Sequence, residues 1–256
     1  GNREPRRSVM AKFPWGDDAV PFRWVLALMC VHCCINGSVL MLVGPSGAVS
    51  DEAFPNPAEL RGVALVTAAW VLLIYVAIGR QKGVQYTKKQ DPGSMSQAVF
   101  ERASKIAERG LMNTVEQMGP FLLCMWMHAL FVNPKISTLF GCIYVVSRFF
   151  YGLLYGMYGE MNMMVEVVTQ NNYVIIGWWL TAVIVKCSLG VDLHQWLYDV
   201  SPLCLIPGAF LGDGIVLFLA LSFIGQPGGL YIVRGVKWNL ESSQPSWPSS
   251  YAATKQ

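Results

Sequence analysis

Long apolar segments dominate this sequence and decide the solvent in which it can fold. Five runs stand out and a weaker sixth follows them: 24–43, 62–78, 111–132, 136–158, 173–189 and 208–224. Each has about the 17–25 residues that an α-helix needs to cross a hydrocarbon core of roughly 30 Å. Hydrophobic residues make up 54% of the chain and charged residues only 14%, so the chain is more apolar than an average globular domain. The sequence predicts an all-α integral membrane protein with about six spans.

Lys and Arg residues are spread unevenly over the segments between these runs. They concentrate before residue 24, in the 80–110 connection and in the C-terminal tail, whereas Arg61, Lys135 and Lys186 lie on the opposite side. Because basic residues favour the cytoplasmic side of a membrane, six spans place both termini in the cytosol, or in the stroma or matrix of an organelle. The net charge of +3 mainly reflects this asymmetry, so we expect membrane lipids and no nucleic acid as partners.

Polar residues enter the third run at a helical spacing. Ser94 or Ser96 can cap a helix that continues straight into this run, and a kink is tolerated at Pro120. On such a helix one polar stripe is formed by Arg102, Lys105, Arg109, Asn113 and Glu116. A charge at membrane depth costs about 2.5–3.5 kcal/mol, so it is kept for a function or paired with a partner. We expect Glu116 to pair with Arg148, and the stripe to form the mouth of a site or the seam of an oligomer.

The fourth run carries a complementary set of polar side chains. One helical face is shared by Tyr144, Arg148, Tyr151 and Tyr155, and Tyr158 continues it. Gly152 and Gly156 form a Gly-x-x-x-Gly pair, which favours close approach of a neighbouring helix. From these residues alone two interpretations stay open: a binding site, or an ordinary buried Arg–Glu bridge with tyrosines packed between helices.

At these two stretches the chain resembles a known family, the membrane-associated proteins in eicosanoid and glutathione metabolism (MAPEG). This family includes microsomal glutathione transferases, leukotriene C synthase and the 5-lipoxygenase-activating protein. Its Arg-x-x-x-Asn-x-x-Glu motif is similar to Arg109, Asn113 and Glu116, and its Tyr-x-x-x-Arg-x-x-Tyr-x-x-x-Tyr motif is similar to the stretch from Tyr144 to Tyr155. Pro120 and Gly141 are also placed as in the family. The resemblance extends over about residues 62–190.

The resemblance implies a four-helix bundle that assembles as a homotrimer, with glutathione as cofactor between neighbouring subunits. The implied glutathione-binding residues are Arg80, Arg109, Asn113, Glu116, Arg148, Tyr151 and Tyr155. Among them, Arg148 would brace Glu116, and Arg80 would hold a glutathione carboxylate. The residue types suit the ligand, because glutathione has two carboxylates, an ammonium group and a thiol.

Two positions depart from the pattern of the eicosanoid branch. Gln117 stands where that branch has a Tyr, and Asn162 stands where an Arg lowers the pKa of the glutathione thiol. The chain has no Lys or Arg between Phe149 and Val185. Without a cation at the sulfur, a thiolate at neutral pH loses its main stabilisation. We therefore expect glutathione binding with weak or lost transferase or peroxidase activity, and the catalytic residues are not assigned.

The seven cysteines are odd in number and most lie within the apolar runs, so we predict no disulfide framework. Cys30, His32, Cys33 and Cys34 superficially suggest a metal site. On a helix, however, His32 points away from the face that the cysteines share, so we predict no metal there. His128 and His194 are expected to be helix contacts or interfacial residues.

The sequence divides into three parts: residues 1–60 with a basic segment and an extra span, residues 61–190 with the MAPEG-like bundle, and residues 191–256 with an interfacial loop, an extra span and a tail. These additions leave two functions open. The first is a glutathione-dependent membrane enzyme. The second is a non-catalytic subunit of a large organellar assembly, such as a photosystem or respiratory supercomplex. The expected location is a thylakoid membrane, a mitochondrial inner membrane or the endoplasmic reticulum.

Overall fold

Seven α-helices make up most of the part of the chain that the structure describes. This computed structural model describes residues 22–45, 55–93 and 95–210, all within the compact unit Gly1–Asp213. The helices are α1 (Phe22–Val43), α2 (Arg61–Gln90), α3 (Gln97–Glu116), α4 (Met118–Phe131), α5 (Pro134–Tyr158), α6 (Met163–Leu189) and α7 (Leu193–Val200). A 3-10 turn at Pro202–Cys204 follows α7.

The described helices agree with an integral membrane protein. Three of them, α2, α5 and α6, are long and apolar enough to cross a membrane, and the apolar part of α1, Ala27–Val43, is shorter. The predicted sixth run, 208–224, lies almost entirely outside the described residues, as do Asp213, the basic N-terminal segment and the C-terminal tail. The prediction of about six spans therefore remains a prediction.

One residue, Gln117, interrupts the third predicted span, so the helix that was expected to continue into this run is divided in two. Ser96 caps α3 as predicted, since its side chain accepts from the Val99 N–H. The helix then ends at Glu116, and α4 begins at Met118 after a turn at Gln117. Pro120 explains the position of the break, because a proline has no N–H for the carbonyl four residues earlier, that of Glu116. Polar α3 and apolar α4 are thus two separate elements.

An aromatic cluster forms the core where α2, α4, α5 and α6 meet. Trp70 and Phe121 have ring centroids 4.6 Å apart, and Phe121 stacks on Tyr144 at 4.3 Å. Trp179 closes the cluster from α6, 6.0 Å from Phe121. All four side chains are fully buried. Gly141 permits this packing, since a Cβ there would lie 2.8 Å from a Val66 methyl group and 2.9 Å from the Met125 sulfur.

A chain of buried polar side chains attaches α1 to α6. Asn36 Nδ2 donates to Asn171 Oδ1 at 3.1 Å, and Asn171 Nδ2 donates to Ser147 Oγ of α5 at 3.2 Å. Asn36 and Asn171 are both buried. An amide buried among apolar helices without a partner is unfavourable, so these hydrogen bonds select one rotation of α1 against α6.

We expect this amide pair to stabilise the docking of α1. In a double-mutant cycle with Asn36→Ala and Asn171→Ala, the coupling energy should be about 0.6–2 kcal/mol, the range for hydrogen bonds between membrane helices. The measurement is denaturation of the detergent-solubilised protein followed by tryptophan fluorescence. Ser38→Ala is the control, because Ser38 is exposed and bonds only to a carbonyl of its own helix, that of Cys34. A coupling energy near zero would contradict this role.

The segment that was predicted as an interfacial loop forms α7 and the 3-10 turn. Trp196 is 54% exposed on α7, whereas His194 is fully buried beside the end of α1, with Nε2 3.2 Å from the Leu40 carbonyl oxygen. Burial lowers the pKa of His194, so the neutral imidazole is favoured at neutral pH. His194 is therefore a helix contact, as predicted.

Candidate functional site

The outer face of α3 presents two opposite charges. Arg109 and Glu116 are exposed and Asn113 between them is half-buried. Seven residues separate the two charges, which puts them about 10 Å apart along one helix face. Within the described part of the chain neither Arg109 nor Glu116 has a hydrogen bond or an ion pair. Both charges are thus available to a ligand or to another subunit.

Arg148 has a different partner from the one that the sequence suggested. Its Nη2 donates to Asn113 Oδ1 at 2.9 Å and lies 3.4 Å from the Asn113 carbonyl oxygen. No ion pair joins Arg148 to Glu116 among the described residues, so the predicted Arg–Glu bridge is wrong. The reason is rotation: Asn113 faces α5, whereas Glu116 lies on the exposed surface of α3. Arg148 therefore holds the Asn113 side chain and does not engage the Glu116 carboxylate.

The tyrosines of α5 pack next to Arg148, the residue that holds Asn113. Tyr151 and Tyr155 are buried and stack with centroids 5.6 Å apart and planes at 13°. The Arg148 guanidinium lies 4.7 Å from the centroid of the Tyr151 ring. Tyr144 is also buried, so the predicted common face is confirmed for these four residues. Tyr158 departs from it, because its side chain is 42% exposed.

Both departures from the family pattern have local structural roles. Gln117 Oε1 accepts a hydrogen bond from the Tyr144 hydroxyl at 3.2 Å, and this bond ties the turn between α3 and α4 to α5. Asn162 is the N-cap of α6, where its Oδ1 accepts from the Val165 N–H at 3.1 Å. An Asn cap stabilises a helix by about 1 kcal/mol relative to Ala. The residue that stands in place of the thiol-activating cation thus contributes to folding.

A pocket of about 450 Å³ lies between α2, α3 and α5 and was not anticipated from the sequence. Arg80, Arg148 and Tyr155 line it together with Arg102. Gly152 and Gly156 also line it. This pair was predicted to let a neighbouring helix approach closely, and it also makes room for the pocket. A Cβ at Gly152 would collide with Nη1 of Arg80, and therefore the missing side chain makes room for that guanidinium. The only sequence signal for the pocket was this run of small residues on the face of Arg148.

The predicted glutathione residues thus fall into two groups. Asn113, Arg148, Tyr151 and Tyr155 are brought together between α3 and α5, and Arg80 joins Arg148 and Tyr155 at the pocket. Arg109 and Glu116 remain on the outer surface of α3.

The cysteine and histidine residues of the apolar helices lie apart from these groups. Cys33 is buried while Cys30 and Cys34 are exposed, and His32 Nδ1 lies 2.7 Å from the Leu28 carbonyl oxygen. Among the described residues no group of His, Cys, Asp and Glu has an arrangement that could hold a metal ion. His128 is fully buried against Ser137, with Nδ1 2.7 Å from Oγ, and is a helix contact as expected.

Comparison with known proteins identifies the family of the segment that contains α2 to α6. A protein of Synechocystis sp. that is described as uncharacterized is 27% identical over 108 residues, which cover 41% of this chain and 74% of that protein. No solved structure matches the chain. The sequence model of the MAPEG family matches residues 60–186, a range that contains α2 to α5 and nearly all of α6. Residues 60–186 therefore place this chain in the MAPEG family.

Proposed function

We propose that this protein binds glutathione in the membrane through a MAPEG-type site and that its transferase or peroxidase activity is weak or lost. The bundle would comprise α2, the α3–α4 pair, α5 and α6, and it would assemble as a homotrimer. The observation that carries the proposal is the outer face of α3, where Arg109 and Glu116 have no partner among the described residues while Arg148 holds Asn113 between them.

The chemistry of this face matches the ends of glutathione. Arg109 supplies a guanidinium for a carboxylate, and Glu116 supplies a carboxylate for the ammonium group. Asn113 retains its amide N–H groups for a ligand, because Arg148 occupies its oxygen atoms. Tyr151 and Tyr155 form a rigid aromatic wall behind these groups. Arg80 would add a second guanidinium for the remaining carboxylate.

Binding of glutathione and its conjugation to a substrate place different demands on this site. In the described part of the chain, Asn162 caps a helix instead of supplying a cation. Glutathione would therefore bind mainly as the thiol at neutral pH, and conjugation of a chlorinated nitrobenzene is expected to be slow. A large conjugation rate in the purified wild-type protein would contradict this part of the proposal.

Arg109→Gln tests the binding site directly. A hydrogen bond to a charged group contributes about 1.5–3 kcal/mol, so this change should weaken glutathione binding about tenfold or more. Equilibrium dialysis of labelled glutathione against the detergent-solubilised protein measures the effect. Lys105→Gln is the matched control, since Lys105 is an exposed cation one turn earlier on α3. Equal binding by wild type and Arg109→Gln would refute the assignment.

The second candidate, a subunit of a larger organellar membrane complex, is favoured by the attachment of α1. The Asn36–Asn171 hydrogen bond joins a helix outside the family segment to α6, which suggests that the chain has acquired an additional interface. Native gel electrophoresis of the source membrane separates the candidates. Migration as a free trimer would contradict the subunit function, and comigration with a large assembly would favour it.

A further inference from the structure

The pocket between α2, α3 and α5 combines apolar walls with an excess of positive charge. Three guanidinium groups line it, from Arg80, Arg102 and Arg148. Its lining contains no Asp or Glu. Between membrane helices such an accumulation of like charge is unfavourable unless an anion neutralises it.

Arg148 is the most constrained of the three. It is only 2% exposed, and its one described hydrogen-bonding partner is the neutral Asn113. Its Nε and Nη1 atoms are buried and lack a hydrogen-bond partner among the described residues. The positive charge at the inner side of the pocket is therefore balanced by no carboxylate of this part of the chain.

Arg80 and Arg102 lie nearer the basic end of the helices. The Arg80 guanidinium rests against Gly152 and 5.6 Å from the centroid of the Phe149 ring. Arg102 lies close to the C-terminal end of α5, since a Cβ at Gly159 would be 4.0 Å from its Nη2. Gly152 and Gly159 are seven residues apart, about 10 Å along α5, so the two guanidinium groups lie beside successive parts of this helix.

The remainder of the pocket is mostly hydrocarbon. Leu73 and Ala77 line it from α2, and Ile106 and Leu111 line it from α3. Leu73 precedes Arg80 by seven residues, which places it about 10 Å further along α2, away from the basic end. A ligand of this pocket should accordingly have an anionic group beside the arginines and an apolar part directed towards Leu73.

We propose that this pocket binds an anionic membrane glycerophospholipid, whose headgroup lies between Arg80 and Arg102 and whose glycerol and upper acyl chain contact the apolar wall. Arg148 adds a third positive charge from the inner side. Basic pockets between membrane helices on the positive side suit such headgroups. The pocket shares Arg80, Arg148 and Tyr155 with the proposed glutathione residues, whereas Arg102 belongs to the pocket alone and Arg109 and Glu116 do not line it.

The test uses the full-length protein, purified and delipidated in a mild neutral detergent, with phosphatidylglycerol as the probe. Phosphatidylglycerol should raise the melting temperature by about 4 °C or more when it is present well above its Kd. Phosphatidylcholine should produce less than half of this shift, because its headgroup has no net charge. Inorganic phosphate and oleate at the same concentration should have no comparable effect. An equal shift with any of these three additives would overturn the proposal.

Arg102→Gln should remove at least half of the shift, and Arg102 is exposed, so the variant should fold. Lys105→Gln, which alters a cation outside the pocket lining, should retain it. Equal losses in the two variants would mean that phosphatidylglycerol acts through general surface charge, and the pocket assignment would be wrong. Arg109→Gln should bind the phospholipid normally and lose glutathione, whereas Arg102→Gln should do the reverse. Failure of one proposal is thus distinguishable from failure of the other.

Discussion

Replacing Trp70 with Ala is expected to lower the free energy of unfolding by about 3–5 kcal/mol, the range for truncation of a large aromatic side chain in a core. Trp70 is fully buried, and its ring contacts both Phe121 and Tyr144, with centroids 4.6 and 5.7 Å away. The cavity that Ala leaves would lie where α2, α4 and α5 meet. Rigid neighbouring rings cannot collapse fully into it, so most of the lost packing energy should not be recovered.

Trp70→Phe separates ring packing from polar effects. The Trp70 Nε1 atom has no hydrogen-bond partner among the described residues, so its removal sacrifices no hydrogen bond. We expect Phe to cost clearly less than Ala. Trp196→Ala is the exposed control and should change stability by about 0.5 kcal/mol or less. Denaturant titration in detergent micelles provides the measurement. Equal losses at Trp70 and Trp196 would show that the aromatic cluster is not the centre of the fold.

Asn162→Arg is expected to produce the largest change in chemistry. By the family resemblance, Arg at this position lies near the glutathione sulfur. An opposite charge within about 4–6 Å typically lowers a pKa by 1–3 units, and a free thiol has a pKa of about 8.5. If the proposed glutathione site is correct, the thiolate fraction at neutral pH should rise roughly tenfold. The ultraviolet absorbance of thiolate in the glutathione complex reports this change, and conjugation of a chlorinated nitrobenzene should accelerate with it.

The same substitution removes a helix cap, so its two effects need separate controls. Loss of the Asn162–Val165 hydrogen bond should cost about 1 kcal/mol of stability. Asn162→Asp retains the cap but supplies the wrong charge, so it should fold normally without a gain in thiolate. Asn162→Ala loses the cap without adding a charge and gives the stability baseline. Unchanged thiolate absorbance in an Asn162→Arg variant that still binds glutathione would contradict the suggested role of this position.

The sequence predicted the common face of the α5 tyrosines correctly but not the partner of Arg148. Periodicity determines which side chains share a face, and Tyr144, Arg148, Tyr151 and Tyr155 are indeed buried together. It does not determine how far the facing helix is rotated. Asn113 and Glu116 differ by about 60° around the axis of α3 and by about 4.5 Å along it, and the structure selects Asn113 as the partner of Arg148.

The break at Gln117 and the pocket also depend on how neighbouring helices pack, which the local sequence does not determine. Pro120 indicated a kink, but whether neighbouring helices tolerate a continuous helix depends on their packing. Gly152 and Gly156 were predicted to favour close approach of a neighbouring helix. The structure fills the position beside Gly152 with the Arg80 side chain and leaves open space within 4 Å of Gly156.

The sequence by itself determined the solvent, the helical class and the positions of the polar faces, because these depend on apolar run length and on the period of one helix. The family segment followed from the resemblance of two motifs. Only the tertiary structure decided that Arg148 braces Asn113, that Arg109 and Glu116 pair with no other described residue, and that three arginines line one pocket. These outcomes depend on the rotation and separation of neighbouring helices, which many side chains at distant positions set together.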